Sequence, residues 1–198
     1  LRIIDAALAL AVRRGWRRVT LEEVAAESGL DVGVVWGCVT TTAEILSAFF
    51  ADIDKQVLAE GTLDRHEGSA RDRMFDLLMR QFDHLRPHRD ALRAVFADLL
   101  WCPLSAAAAA FSLRRSMSRL ARAADLPVTG VDGCALRVGA AALHFSVLPV
   151  WFEDRTEDQA PTMAALDRRL RQAETMIEST PLGRFLGGAA PATGIGNV

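Results

Sequence analysis

The sequence predicts an all-α protein of about nine helices. Apolar residues recur three and four positions apart along nearly the whole chain, the strong helix formers Ala, Leu, Arg and Glu dominate, and no stretch alternates apolar and polar residues as a half-buried strand does. With 198 residues, 51% of them hydrophobic, the chain has the length and composition to bury a substantial core and is not a disordered polymer.

The helices follow in order from local signals. The first spans residues 1–14, with Ile3, Ala7, Leu10 and Ala11 along one side, and stops at Gly15. Thr20 with Glu23 three residues later forms a capping box, so a second, short helix starts at Leu21 and ends near Ser28 and Gly29. Asp31 is placed to cap a third helix through Cys38, and Thr40, Thr41 and Thr42 can cap a fourth that continues to Glu60. Further helices are expected over residues 69–85, 89–101, 104–124, 131–151 and 157–178, the last tolerating Pro161 in its first turn. The breaks are marked by Pro87, by Pro127 and Gly130, and by the polar residues 153–156. From Pro181 the chain is rich in Gly and Pro and is expected to be a flexible tail.

Composition narrows the function classes. Lys and Arg number 23 against 25 Asp and Glu, a net charge of −2, so no global positive field draws the chain to nucleic acid or an anionic membrane, and any such binding must be local. Lys55 is the only lysine, which reflects coding bias more than function. Cys38, Cys102 and Cys134 are widely spaced without a CxxC pair, indicating neither a disulfide framework nor a zinc site and fitting a reducing cytoplasm. The longest apolar stretch, residues 138–152, contains His144 and Pro149 and falls short of the roughly 20 residues of a membrane span. The first residues form an amphipathic pattern and not a signal peptide. Pro87 breaks the helix between His84 and His88, and no nucleophile elbow, phosphate-binding loop or dinucleotide glycine pattern occurs. No catalysis, metal or cofactor is expected.

A capped short helix containing Ala25 and Ala26, a turn at Gly29 and a second short helix make the helix-turn-helix layout. With the preceding helix, residues 3–50 resemble the N-terminal domain of the TetR family of bacterial transcriptional regulators, through IIDAALALAVRRGWRRVTLEEVAAESGLDVGVV followed by Trp36. The resemblance implies a cytoplasmic homodimer with a DNA-binding head over residues 1–47, a helical ligand-binding and dimerising bundle over residues 48–180, and a tail over residues 181–198. It also implies repression of an operator, released by a small-molecule effector.

Where family members commonly read Ser-Lys-Gly-Thr-Leu-Tyr-x-His-Phe-x-Ser-Lys, this chain runs from Asp31 through Val32, Gly33, Val34, Val35, Trp36, Gly37, Cys38 and Val39 to Thr40, Thr41 and Thr42. Val35 and Val39 keep the packing positions. Asp31 adds negative charge, while Val32 and Thr42 stand where lysines usually meet phosphate, and residues 19–54 contain no Lys, Arg or His. Residues 1–50 hold five arginines (Arg2, Arg13, Arg14, Arg17, Arg18) against six acids (Asp5, Glu22, Glu23, Glu27, Asp31, Glu44), a poor balance for phosphate neutralisation. Two outcomes stay open: a regulator with an unusual interface, or a retained fold without DNA binding. The candidate DNA-contacting positions are Arg17, Arg18, Thr20, Asp31, Val32, Val34, Trp36, Thr40, Thr41 and Thr42, the hydroxyls and the indole N–H being able to donate to phosphate.

Residues 147–170 also resemble a lipid-binding ubiquinone-biosynthesis protein of the same fold, which implies as the alternative an accessory factor that binds an isoprenoid or other lipid. In either case the last two long helices are expected to dimerise through residues 140–148 and Met163, Leu166 and Leu170. A mostly apolar effector cavity is expected among Met79, His84, Phe96, Leu100, Trp101, Phe111, His144, Phe145 and Trp151.

Overall fold

The computed structural model describes residues 1–60, 68–99, 101 and 103–178, and among them the chain is helical without strands. The expected tail, residues 181–198, and Leu100 lie outside the described residues. Three helices, α1 (Arg2–Arg14), α2 (Leu21–Ser28) and α3 (Val32–Cys38), form the head, with a 3-10 turn at Trp16–Arg18 between the first two. The long α4 (Thr42–Glu60) leads into α5 (Ala70–Leu85), α6 (Arg89–Leu99), α7 (Pro103–Ala123), α8 (Gly130–Glu153) and α9 (Ala160–Glu178).

Four helix ends differ from expectation in ways that bear on the packing. The helix expected to reach residue 101 ends at Leu99, and its successor starts at Pro103, whose fixed φ and missing N–H suit a first helical position. The last helix begins at Ala160 and not at residue 157, because the Asp158 carboxylate accepts from the Ala160 N–H and Gln159 sits at φ +50° just ahead of it. The eighth runs on to Glu153, so that Gly133–Glu153 has the length and apolarity of a membrane-crossing helix, which residues 138–152 alone did not suggest. Only 22% of its most apolar window is buried inside the protomer.

Two apolar cores share one helix. The head core joins Ala7, Leu10 and Ala11 of α1 to Trp16, Val24, Ile45 and Leu46, and takes Val95 and Leu99 from α6. The body core gathers Phe49, Ile53 and Val57 of α4 with Phe82, Met117, Leu120, Trp151 and Leu166. Within α4 the allegiance therefore changes between Leu46 and Phe49, so burial on one side fixes the other.

Polar links hold the helices in register. Asp54, fully buried in α4, accepts from Gln81 Nε2 at 2.8 Å, Ser116 Oγ at 2.7 Å and Arg119 Nε and Nη2 at 2.8 and 2.5 Å. At the other end of the body, Arg89 and Arg93 donate to the carbonyls of Asp154 and Phe152, cations placed at the negative end of α8. Burial pushes the Asp154 carboxyl up, but hydrogen bonds from the hydroxyls and amides of Thr156 and Thr162 outweigh it and hold the group at about 2.

Close packing makes one glycine of α8 irreplaceable. A Cβ on Gly133 would meet the Val128 carbonyl carbon at 2.4 Å, against backbone that cannot swing away. Gly133→Ala is expected to destabilise the chain by about 1–3 kcal/mol in chemical denaturation, despite alanine's better helix propensity; equal or greater stability would contradict this packing.

Candidate nucleic-acid interface and body cavity

The helix-turn-helix is built by reciprocal caps. Thr20 Oγ1 accepts from the Glu23 N–H at 3.2 Å while Glu23 Oε2 accepts from the Thr20 N–H at 3.3 Å, which starts α2. Gly29 ends it in the left-handed conformation at φ 64°, with the Leu30 N–H returning to the Ala25 carbonyl at 3.1 Å. Asp31 Oδ1 then accepts from the Gly33 N–H at 2.8 Å and starts α3. Val35 is buried completely and Val39 packs at the edge of the head core, which leaves Val34 and Trp36 outward, 52% and 54% exposed.

The basic cluster is largely neutralised within the head. Arg13 makes two hydrogen bonds with Glu27, at 3.0 and 2.6 Å, and Arg14 pairs with Glu23. The Arg13 hydrogen bond holds the Glu27 carboxyl below its usual range. The Arg17 N–H donates to Asp98 Oδ2 of α6 at 3.0 Å, and its Nε lies 4.0 Å from Asp98 Oδ1. Arg18 is exposed and forms no ion pair with a described residue. Glu23 and Glu27 stand one turn apart on one side of α2, which brings both carboxylates to the arginines of α1.

The hydroxyls are also partly committed. Thr40 donates its N–H and hydroxyl to Glu44 at 2.8 and 2.7 Å, which holds that carboxyl below its usual range. Thr20 and Thr41 use their oxygens as acceptors for the Glu23 and Glu44 amides, so each keeps a hydroxyl proton to donate. Val32 and Thr42 are half-buried, and the Asp31 carboxylate is exposed at the start of α3.

The family model for bacterial regulatory proteins of the tetR family matches residues 3–36, the segment that holds these caps and the outward face of α3. Residues 3–36 thus match the head of tetR-family regulators, and the chain shares the fold of solved TetR regulators. A TetR transcriptional regulator from Nitrosomonas europaea superposes with a TM-score of 0.67 at 21% identity, over 87% of this chain and 95% of that one. A TetR transcriptional regulator from Rhodococcus sp. RHA1 gives 0.58 at 18% identity, over 85% and 93%. SmeT, the repressor of the Stenotrophomonas maltophilia multidrug efflux pump SmeDEF, gives 0.51 at 23% identity, over 86% and 88%. No curated protein matches the chain.

Behind the head, the body encloses an apolar space between α4, α5, α6, α7 and α8. Its volume is about 10 Å³, the size of one water, and its lining includes Phe50, Leu92, Phe96, Leu113, His144 and Phe145. Of the expected cavity residues it brings together Phe96, His144 and Phe145, the two phenylalanines meeting edge-to-face at 5.7 Å. The others lie elsewhere. Met79 packs at the margin of the body core, and His84 pairs with Glu60 at 3.1 Å. Trp101 is 77% exposed, and Phe111, 51% exposed, lies under the guanidinium groups of Arg114 and Arg115. Trp151 is buried, donating its N–H to Gln159 Oε1 at 3.0 Å under the Arg89 guanidinium. The aliphatic lining, Leu92 and Leu113 among it, went unnamed in the sequence because core and cavity leucines share one helical periodicity.

His144 is the polar exception in that wall. It stacks on Phe82 with ring centroids 4.9 Å apart, and its Nδ1 is buried without a hydrogen-bond partner. Burial pushes the imidazole down to about 4, so it is neutral at physiological pH. Because the folded-state value lies below the ordinary 6.5, the unfolded chain binds the proton first, and the stability present above pH 6.5 is lost as pH falls towards 4. The loss attributable to this group is about 3 kcal/mol between pH 7 and pH 4. Denaturation titrations of the wild type and His144→Phe are expected to diverge across that window; parallel pH profiles would exclude a buried neutral imidazole.

Proposed function

We propose that the protein is a homodimeric transcriptional repressor that binds operator DNA through α3 and releases it when a mostly apolar small molecule enters the body. The observation that carries this is the geometry of the head: α3 is held by Val35 at the end of a fully capped helix-turn-helix and turns its opposite face to solvent. Two such helices enter successive major grooves when a dimer places them about 34–36 Å apart.

Dimerisation is supported by α8. Cys134, Ala135, Val138, Gly139 and Ala142 form an exposed face of small and apolar residues, and Met163 of α9 is exposed as well. Leu166 and Leu170, expected at that interface, are buried in the protomer's own core. Pairing these faces would cover the large uncovered share of α8.

The apolar lining around His144 supports a mostly apolar effector, and the closed volume of about 10 Å³ means that entry must separate the helices that form it. Such a separation would favour the body conformation that fits DNA poorly. No observation in the body favours the isoprenoid alternative.

Few cations are free to meet phosphate, and the salt dependence should show it. Counting Arg17 and Arg18 once on each protomer gives about four phosphate contacts, hence a slope of log K against log salt of about −3.6 for the dimer on its own upstream DNA. Arg18→Ala should reduce the slope by about 1.8 and weaken all sequences alike. An absence of sequence preference even at low salt would contradict the proposed function.

A further inference from the structure

The outward face of α3 offers a duplex very little hydrogen-bonding chemistry. Val34 and Trp36 stand 52% and 54% exposed, Gly33 and Gly37 beside them carry no side chain, and Asp31 is turned onto the Gly33 amide. In the major groove guanine is read by the paired donors of Arg or Lys and adenine by the amides of Asn or Gln. Residues 31–38 contain none of these four. What the face presents is branched aliphatic and aromatic carbon, and the major-groove feature that carbon recognises is the C5-methyl group of thymine.

Resting on α3 as the DNA-contacting helix, we infer that the operator half-site is read through thymine methyl groups packed against Val34 and Trp36. The Trp36 indole N–H is left to donate to a thymine O4. The occupant of this surface is the DNA major groove because both residues lie within the segment that matches the regulatory-protein model and are exposed on the two flanks of α3, either side of its buried Val35. The exposed Asp31 carboxylate disfavours guanine, whose major-groove edge carries only acceptors. Affinity then comes from buried methyl groups more than from ion pairs, which reconciles a complete helix-turn-helix with a head whose Arg13 and Arg14 are paired with Glu27 and Glu23.

The test selects duplexes from a random library with the full chain at low salt, then replaces each thymine of the recovered site by deoxyuridine, which lacks only the methyl. Each contacted thymine is expected to lose about fourfold in affinity, the worth of one buried carbon. Val34→Ala and Trp36→Ala, both at exposed positions and checked by thermal melting, should bind the thymine and deoxyuridine duplexes equally at the position each had contacted. A guanine-based site, or a thymine-rich site indifferent to deoxyuridine, would overturn the inference while leaving DNA binding intact. Persistence of the thymine preference in both variants would also overturn it. Failure to enrich any sequence would overturn it together with the proposed function.

Discussion

A single buried carboxylate governs how the two halves of the molecule are joined. Asp54 lies at the body end of α4, and burial pushes its carboxyl up, while hydrogen bonds from Ser116, Arg119 and Gln81 hold it in place. Removing a charged group from water costs several kcal/mol unless its oxygens are satisfied, so α4 cannot rotate or slide past α5 and α7 without exposing that cost. The other end of α4 supplies Ile45 and Leu46 to the head core. The position of the head is therefore set by the packing of the body, and any effector that shifts α5 or α7 acts on α4 through the same bonds. Asp98 of α6 adds a second tether by accepting the Arg17 N–H against Gly15, where a Cβ would approach its Oδ2 to 2.8 Å.

The head is held together by caps and ion pairs without being basic. Arg13 and Arg14 stitch α1 to α2, and the Arg17 N–H ties the following turn to α6, which leaves a neutral, apolar α3 on that support. On the proposed function, such a surface would gain little from the long-range attraction that steers basic proteins to DNA, and its affinity would depend on close contact. In the body, the wall of the small apolar space includes His144, whose Nδ1 is buried without a partner.

The sequence was legible where local chemistry decides structure. Thr20 with Glu23, Gly29, Asp31 and Ser69 all act as their residue types demand, because caps depend on neighbours three or four positions away. It was less legible where distant partners decide. The pairing of Arg14 with Glu23 across two helices, the capture of Arg17 by Asp98 and the inward turn of Leu166 and Leu170 follow from tertiary packing, which periodicity does not specify. Trp101 illustrates the opposite error: a large aromatic at a helix end suggested a cavity wall, and the early stop of α6 ahead of Pro103 leaves it in solvent.

On the proposed function a neutral α3, held by this capped head, is the surface that meets DNA. Hydrogen–deuterium exchange of the full chain with and without the selected duplex addresses it directly. Slowed exchange concentrated in Val32–Cys38 and Trp16–Arg18 is the result expected; unchanged exchange in α3 when duplex is demonstrably bound would place the DNA elsewhere on the molecule and contradict the account.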